Sequence, residues 1–138
     1  MKKFTTLGIM ILSLSTISFT TGKSDFCGIK NTAYKNGEII TFKVFYSTLG
    51  AYIGAGEATF TTTVERYNGK TVYHHVGEGK TYSFFDNFFE VRDRYETYVD
   101  TTSLLPYKFI RNVDEGGYKK YDNVTFNQVA NTAASTKV

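Results

Sequence analysis

His74-His75 is the one histidine pair in the chain and the first place to look for a metal ion. Neighbours on a strand point to opposite faces, so the two imidazoles cannot close on one cation. His75 would share a face with Tyr73 and His74 with Val72 and Val76, giving one solvated and one half-buried histidine. Asp86, Glu90, Asp93 and Glu96 are the carboxylates that could pair as acid and base for glycoside hydrolysis. Their spacing sets no two of them across a cleft, and Arg92, Arg94 and Arg111 point instead to cross-strand ion pairing on a wet face. Gly50, Gly54 and Gly56 resemble a phosphate-binding loop in composition, but a strand led by Glu57 follows where such a loop needs a helix N-terminus. A strained turn or bulge where only glycine fits is expected there. Leu49, Ala51, Tyr52 and Ile53 make it unusually apolar for a loop, so it folds back on the core or touches a partner. No Ser-His-Asp or Cys-His ordering is recognisable. The residues therefore assign no catalytic group, no metal ligand and no cofactor.

The elements that must carry these side chains show a period of two, bounded by glycine and Asx turns. Six strands are expected: Glu38 to Ser47, Glu57 to Tyr67, Thr71 to Gly79, Glu90 to Asp100, Tyr107 to Val113 and Tyr118 to Gln128. In the first, Ile40, Phe42, Val44 and Tyr46 share the inner face. Asn68-Gly69 joins the second to the third as a type I′ hairpin turn, because both central residues must take positive φ. Between the third and fourth strands the period changes: Phe84, Phe85, Phe88 and Phe89 recur on one face of a helix of about two turns, capped by Thr81 or Ser83. That helix is either a plug under the sheet or a lid over an apolar cavity. With Tyr52, these four phenylalanines are the candidate ligand-binding residues. The fold class is all-β: an antiparallel curved sheet or partly open barrel of about six strands with one short helix.

Residues 1–22 read as a secretory signal peptide. Lys2 and Lys3 precede an apolar stretch from Phe4 to Thr21, no acid occurs before Asp25, and Thr20 and Gly22 suit a signal-peptidase site. Its densest part, Leu7 to Leu14, is shorter than the roughly 20 apolar residues that cross a bilayer, so no membrane anchor remains after cleavage. Cys27 is the only cysteine; Phe26 and Ser24 argue against lipidation, which leaves an unpaired thiol as the first expectation and half of a disulfide with a partner elsewhere as the alternative. Residues 23–36 form an N-terminal segment and 37–138 the β-rich domain. Cleavage removes two lysines and no acid, leaving 14 basic and 13 acidic side chains, so no charge surplus favours nucleic acid or an anionic membrane. With 11 tyrosines, 12 phenylalanines and a single proline, the composition favours half-buried strands.

Asn36-Gly37-Glu38, Gly54-Ala55-Gly56-Glu57-Ala58, Val91-Arg92-Asp93-Arg94-Tyr95-Glu96, Tyr98-Val99-Asp100, Leu105-Pro106 with Phe109 and Arg111, and Glu115-Gly116-Gly117-Tyr118 occur in an order and spacing that resembles the exported bacterial family called domain of unknown function 3108. The resemblance implies a periplasmic or otherwise exported β-sheet protein with no assigned catalytic residues. It also implies an incomplete domain, since members continue for about as many residues again. Asn131 to Val138 then reads as a loop leading onward, leaving the sixth strand with an edge to be covered.

Two functions follow as expectations. One is a non-catalytic cell-envelope protein that binds a lipid, a polysaccharide or an envelope protein through its aromatic surface. The other is an envelope hydrolase using carboxylates around Asp86 to Glu96. A transmembrane barrel is remote, because six strands cannot close one.

Overall fold

The computed structural model describes residues 30–137. The expected signal peptide, its cleavage site and Cys27 lie outside the described residues. Seven strands and one helical turn follow in chain order: β1 (Glu38–Thr48), β2 (Ala51–Tyr67), β3 (Lys70–Thr81), α1 (Ser83–Asp86), β4 (Arg92–Asp100), β5 (Pro106–Glu115), β6 (Tyr118–Asn127) and β7 (Thr132–Lys137). They form one open antiparallel sheet in the order β1-β2-β3-β4-β5-β6-β7.

Three tight turns set the register. Asn68-Gly69 has φ of 48° and 79°, as its sequence predicts, and Gly116-Gly117 has 57° and 90°. The third is Leu49-Gly50, with φ of 48° and 80°, between β1 and β2. The apolar stretch read as a loop is therefore strand: β2 starts at Ala51 and runs back alongside Tyr46 and Ser47. The expected bulge is present, since Val44 pairs with Gly56 and Phe45 with Gly54, leaving Ala55 over. Gly56 has to be glycine, because a Cβ there would stand 2.4 Å from the Lys80 carbonyl oxygen.

Two other expectations are corrected. Residues 131–138 were expected as a loop, but 132–137 pair with β6 as a seventh strand. Asn127 makes the reversal, its Oδ1 accepting the N–H groups of Val129 and Ala130. The run Thr-Ala-Ala-Ser-Thr is too small and polar to show an apolar alternation. The phenylalanine helix is one turn rather than two, and none of its residues is buried. Neither proposed cap forms: Tyr82 occupies the N-cap without a side-chain bond, and the Thr81 hydroxyl donates to Asp86 while accepting the Val91 N–H. Phe84 is 62% exposed and Phe88 75%, so the segment is not a plug.

Cross-strand register sorts the side chains onto two faces. Ile40, Phe60, Gly77, Tyr95 and Arg111 are successive neighbours on one. Lys43, Glu57, Lys80 and Arg92 are successive neighbours on the other. The buried apolar side chains among the described residues are Val72 and Val113. No helix among these residues is long and apolar enough to cross a membrane.

Candidate functional site

Over β1 to β4 the first of these faces is apolar and bare. Phe42 is 55% exposed and Phe60 51%, with Ile40, Val44 and Val64 also open to water. Alternation puts these residues in line, and Phe42 and Phe60 meet edge to face at 6.0 Å.

A recess of about 370 Å³ opens in this face, walled by Tyr34, Phe60, Thr62, His75, Tyr95 and Thr97. Its floor is Gly77, where a Cβ would crowd the Phe60 ring at 3.2 Å. Tyr34 comes from the segment before β1. The Asn31 amide donates to the Tyr34 carbonyl at 2.8 Å and so fixes the backbone beneath the ring. The ring stands edge-on to Tyr73 at 5.0 Å and to His75 at 4.5 Å. His75 Nδ1 and the Thr62 hydroxyl are hydrogen-bonded at 3.0 Å. Burial, and then the neighbouring His74, push the His75 pKa down, which favours the neutral imidazole. Burial raises the phenols of Tyr34 and Tyr95, with Tyr73 and Asp93 adding to the respective effects. The recess is thus aromatic and uncharged, with polar atoms at its rim, and suits an apolar chain or the carbon face of a sugar.

The opposite face is held by charge. His74 Nε2 lies 2.9 Å from Glu96, Nδ1 lies 3.5 Å from Glu65, and its ring stacks on Tyr98 at 4.3 Å. The two histidines do point to opposite faces, but both are half-buried, which corrects the expectation of a solvated one. Arg94 bridges Glu78 and Glu96. Burial raises the Glu96 carboxyl, but hydrogen bonds from Arg94 and His74 outweigh it and the net shift is downward. The Arg92 guanidinium and the Thr81 hydroxyl lower Asp86. Among the described residues no cluster of three or more His, Cys, Asp or Glu is placed to hold a metal.

The structure brings part of the expected ligand set together. Phe84 meets Phe85 at 5.5 Å and Phe88 at 5.6 Å, and Phe85 faces Tyr46 at 6.5 Å. Phe89 stands apart against Gly116, where a Cβ would fall 2.4 Å from its ring. Tyr52 pairs with Ser47 on the other side of the hairpin from Tyr46. None of the five lines the recess. Sequence reasoning missed Tyr34, Phe60, His75 and Tyr95 as a group, although the Asn68-Gly69 turn already sets Thr62 beside His75 and Phe60 beside Gly77. It also missed the Arg111–Asp122 pair, in which Asp122 is 4% exposed and its carboxyl is lowered by the guanidinium.

An open antiparallel sheet, ion-paired on one face and apolar and exposed over β1 to β4 on the other, defines an all-β protein. The family model described as Protein of unknown function (DUF3108) matches residues 40–138, and the chain belongs to that family. No curated protein and no solved structure matches it.

Proposed function

We propose that this protein is an exported, non-catalytic component of the cell envelope that holds an apolar ligand against its bare face. The observation that carries the reading is the aromatic recess between Tyr34, Phe60, His75 and Tyr95, set in a face whose phenylalanines are half exposed. Burying such side chains is worth about 1.5–3 kcal/mol each, so an occupant has a large incentive to cover them. Export is supported by the basic, apolar and small-residue order of residues 1–22. A polysaccharide or an envelope protein would use the same rings. The test is titration with a fluorescent fatty acid against Phe60→Ala and Tyr95→Ala variants. Uptake should weaken roughly tenfold in each while the fold survives; unchanged uptake in both sinks the reading.

One observation favours hydrolysis as a second reading. Asp93 of β4 accepts the Asp114 N–H of β5 at 3.3 Å, and its interaction with the neighbouring Glu115 raises the Glu115 carboxyl pKa, setting a protonation-prone acid beside a second carboxylate. Of the carboxylates singled out between Asp86 and Glu96, Asp93 is the one that acquires such a partner. Turnover of an envelope polysaccharide that vanishes in both Asp93→Asn and Glu115→Gln would establish it.

A further inference from the structure

The β1–β2 hairpin outruns its neighbours, and its chemistry changes abruptly along its length. Lys43, Glu57, Lys80 and Arg92 form one cross-strand row over β1 to β4. Lys80 pairs with Glu57 at 3.0 Å, and Arg92 pairs with Asp86 at 2.6 Å. Past that row, Val44 to Gly56 contains no charged residue. Beside it α1 is docked by the Tyr82 N–H, which donates to the Ala55 carbonyl at 2.9 Å. Its single acid, Asp86, is the partner of Arg92.

Within this tip the side chains are layered by height. Leu49 is fully exposed at the turn, Tyr46 and Tyr52 stand three residues back on either strand, and the charged row lies further back still. Phe84 and Phe88 add their exposed rings beside the hairpin. Apolar tip, amphipathic tyrosines, then charges is the order met on passing from acyl chains through headgroups to water. Both sides of the hairpin are apolar, with Phe45 and Tyr52 on one and Tyr46 and Ile53 on the other, each of them exposed. A groove on a protein covers one side, whereas a fluid covers both.

The turn supplies an independent observation. The other two-residue turns place Asn-Gly and Gly-Gly at positive φ, the residues suited to it, but here Leu49 takes φ of 48°. Leucine is a poor choice for that backbone and for full exposure to water, and a good choice for contact with lipid.

We propose that Leu49, Tyr46, Tyr52, Phe84 and Phe88 seat this end of the sheet in a lipid surface, with the charged row at the headgroup boundary. Among the described residues no strand lies beside the outer edge of β2 between Ala51 and Ala55, so the backbone stays in the hydrated headgroup layer and the side chains reach the acyl boundary. The row holds three bases and one acid, but Glu57 pairs with Lys80 and Asp86 of α1 with Arg92, so most of its positive charge is neutralised and attachment does not depend on anionic lipid. The inference goes beyond ligand binding in the recess and stands or falls separately from it.

The chain has no tryptophan, so Tyr52→Trp gives a single reporter at the tip. Adding phosphatidylcholine vesicles to the full-length protein should shift its emission to the blue and shield it from acrylamide, equally at low and high salt. Leu49→Asn keeps a residue suited to the turn and removes the apolar tip, and Phe88→Ser removes the second contact. Each should weaken vesicle affinity roughly tenfold, while fatty-acid uptake at Phe60 is unchanged. No shift with folded protein, attachment confined to anionic vesicles at low salt, or full affinity in both variants overturns the proposal. So does a tip that is shielded only by concentration-dependent dimerisation.

Discussion

On the charged face, side chains are tied to one another across strands: Arg94 joins Glu78 to Glu96, and His74 lies between Glu96 and Glu65. On the apolar face Phe42 and Phe60 meet edge to face, the Phe60 ring lies beside Gly77, and both rings are about half exposed. Two residues, Val72 on the charged side and Val113 on the apolar side, are the buried apolar side chains of the described sheet. Backbone ladders and polar cross-links therefore hold this sheet in shape while its apolar surface remains free. Such surface normally drives folding by being buried; here much of it is exposed among the described residues.

The comparison breaks if the exposed phenylalanines prove as costly to remove as the buried valine. Val72→Ala is expected to destabilise by about 2 kcal/mol, and Phe42→Ala by less than about 0.5 kcal/mol. Denaturant midpoints of the two variants give the difference, and equal losses would mean that the apolar face is covered in solution. Next in size, Gly69→Val should cost about 1 kcal/mol or more, because a β-branched residue resists the φ of 79° at that turn. Its melting temperature, beside that of the parent, checks this.

Acid titration sharpens the contrast between faces. Burial raises Asp100, but the N–H groups of Ser103 and Thr102 and the Tyr107 hydroxyl outweigh it and hold the carboxyl at about 2. A depressed carboxyl contributes stability above its ordinary range near 4 and loses it as pH falls through about 2. Glu115, beside Asp93 on the other face, is raised, so its contribution is greatest in acid and fades as pH increases through its folded value. Asp100→Asn should flatten the acid limb of a stability–pH curve, and Glu115→Gln should lift the neutral end. The smallest effect is expected at Leu49→Asn, a gain of about 0.5 kcal/mol from relief of the left-handed backbone, measured as a rise in the denaturant midpoint.

Much of the sheet was legible because alternation and Asn68-Gly69 specify strand and register directly. What escaped has physical reasons. Gly50 to Gly56 has too few polar residues to alternate, so a strand looked like a loop. Ala133 to Ser135 has too few large ones, so β7 was invisible. The phenylalanine spacing did mark a helix, but its regular part ends at Asp86 with Asn87 as the C-cap, and the bonds from the Phe88 and Phe89 N–H groups to the Phe85 carbonyl close it as a turn. The recess depends on Tyr34, which lies in an irregular segment with no period to read, and on strands brought side by side. Register arithmetic from the turn reaches Phe60 and His75; nothing in the sequence reaches Tyr34.

Because each strand pairs with the strands before and after it in the chain, assembly needs no distant segment to find its partner. Such a sheet can close one hairpin at a time, and local closure is the regime in which β proteins fold fastest. The Asn68-Gly69 hairpin, with its turn residues already suited to positive φ, is the natural nucleus, on the microsecond scale of an isolated hairpin. Zippering toward β7 then proceeds through the Gly116-Gly117 turn. Closure of β1 onto β2 must wait for Leu49 to enter a conformation that leucine avoids. The hairpin tip would therefore be the last part of the β1–β3 unit to form and the first to open.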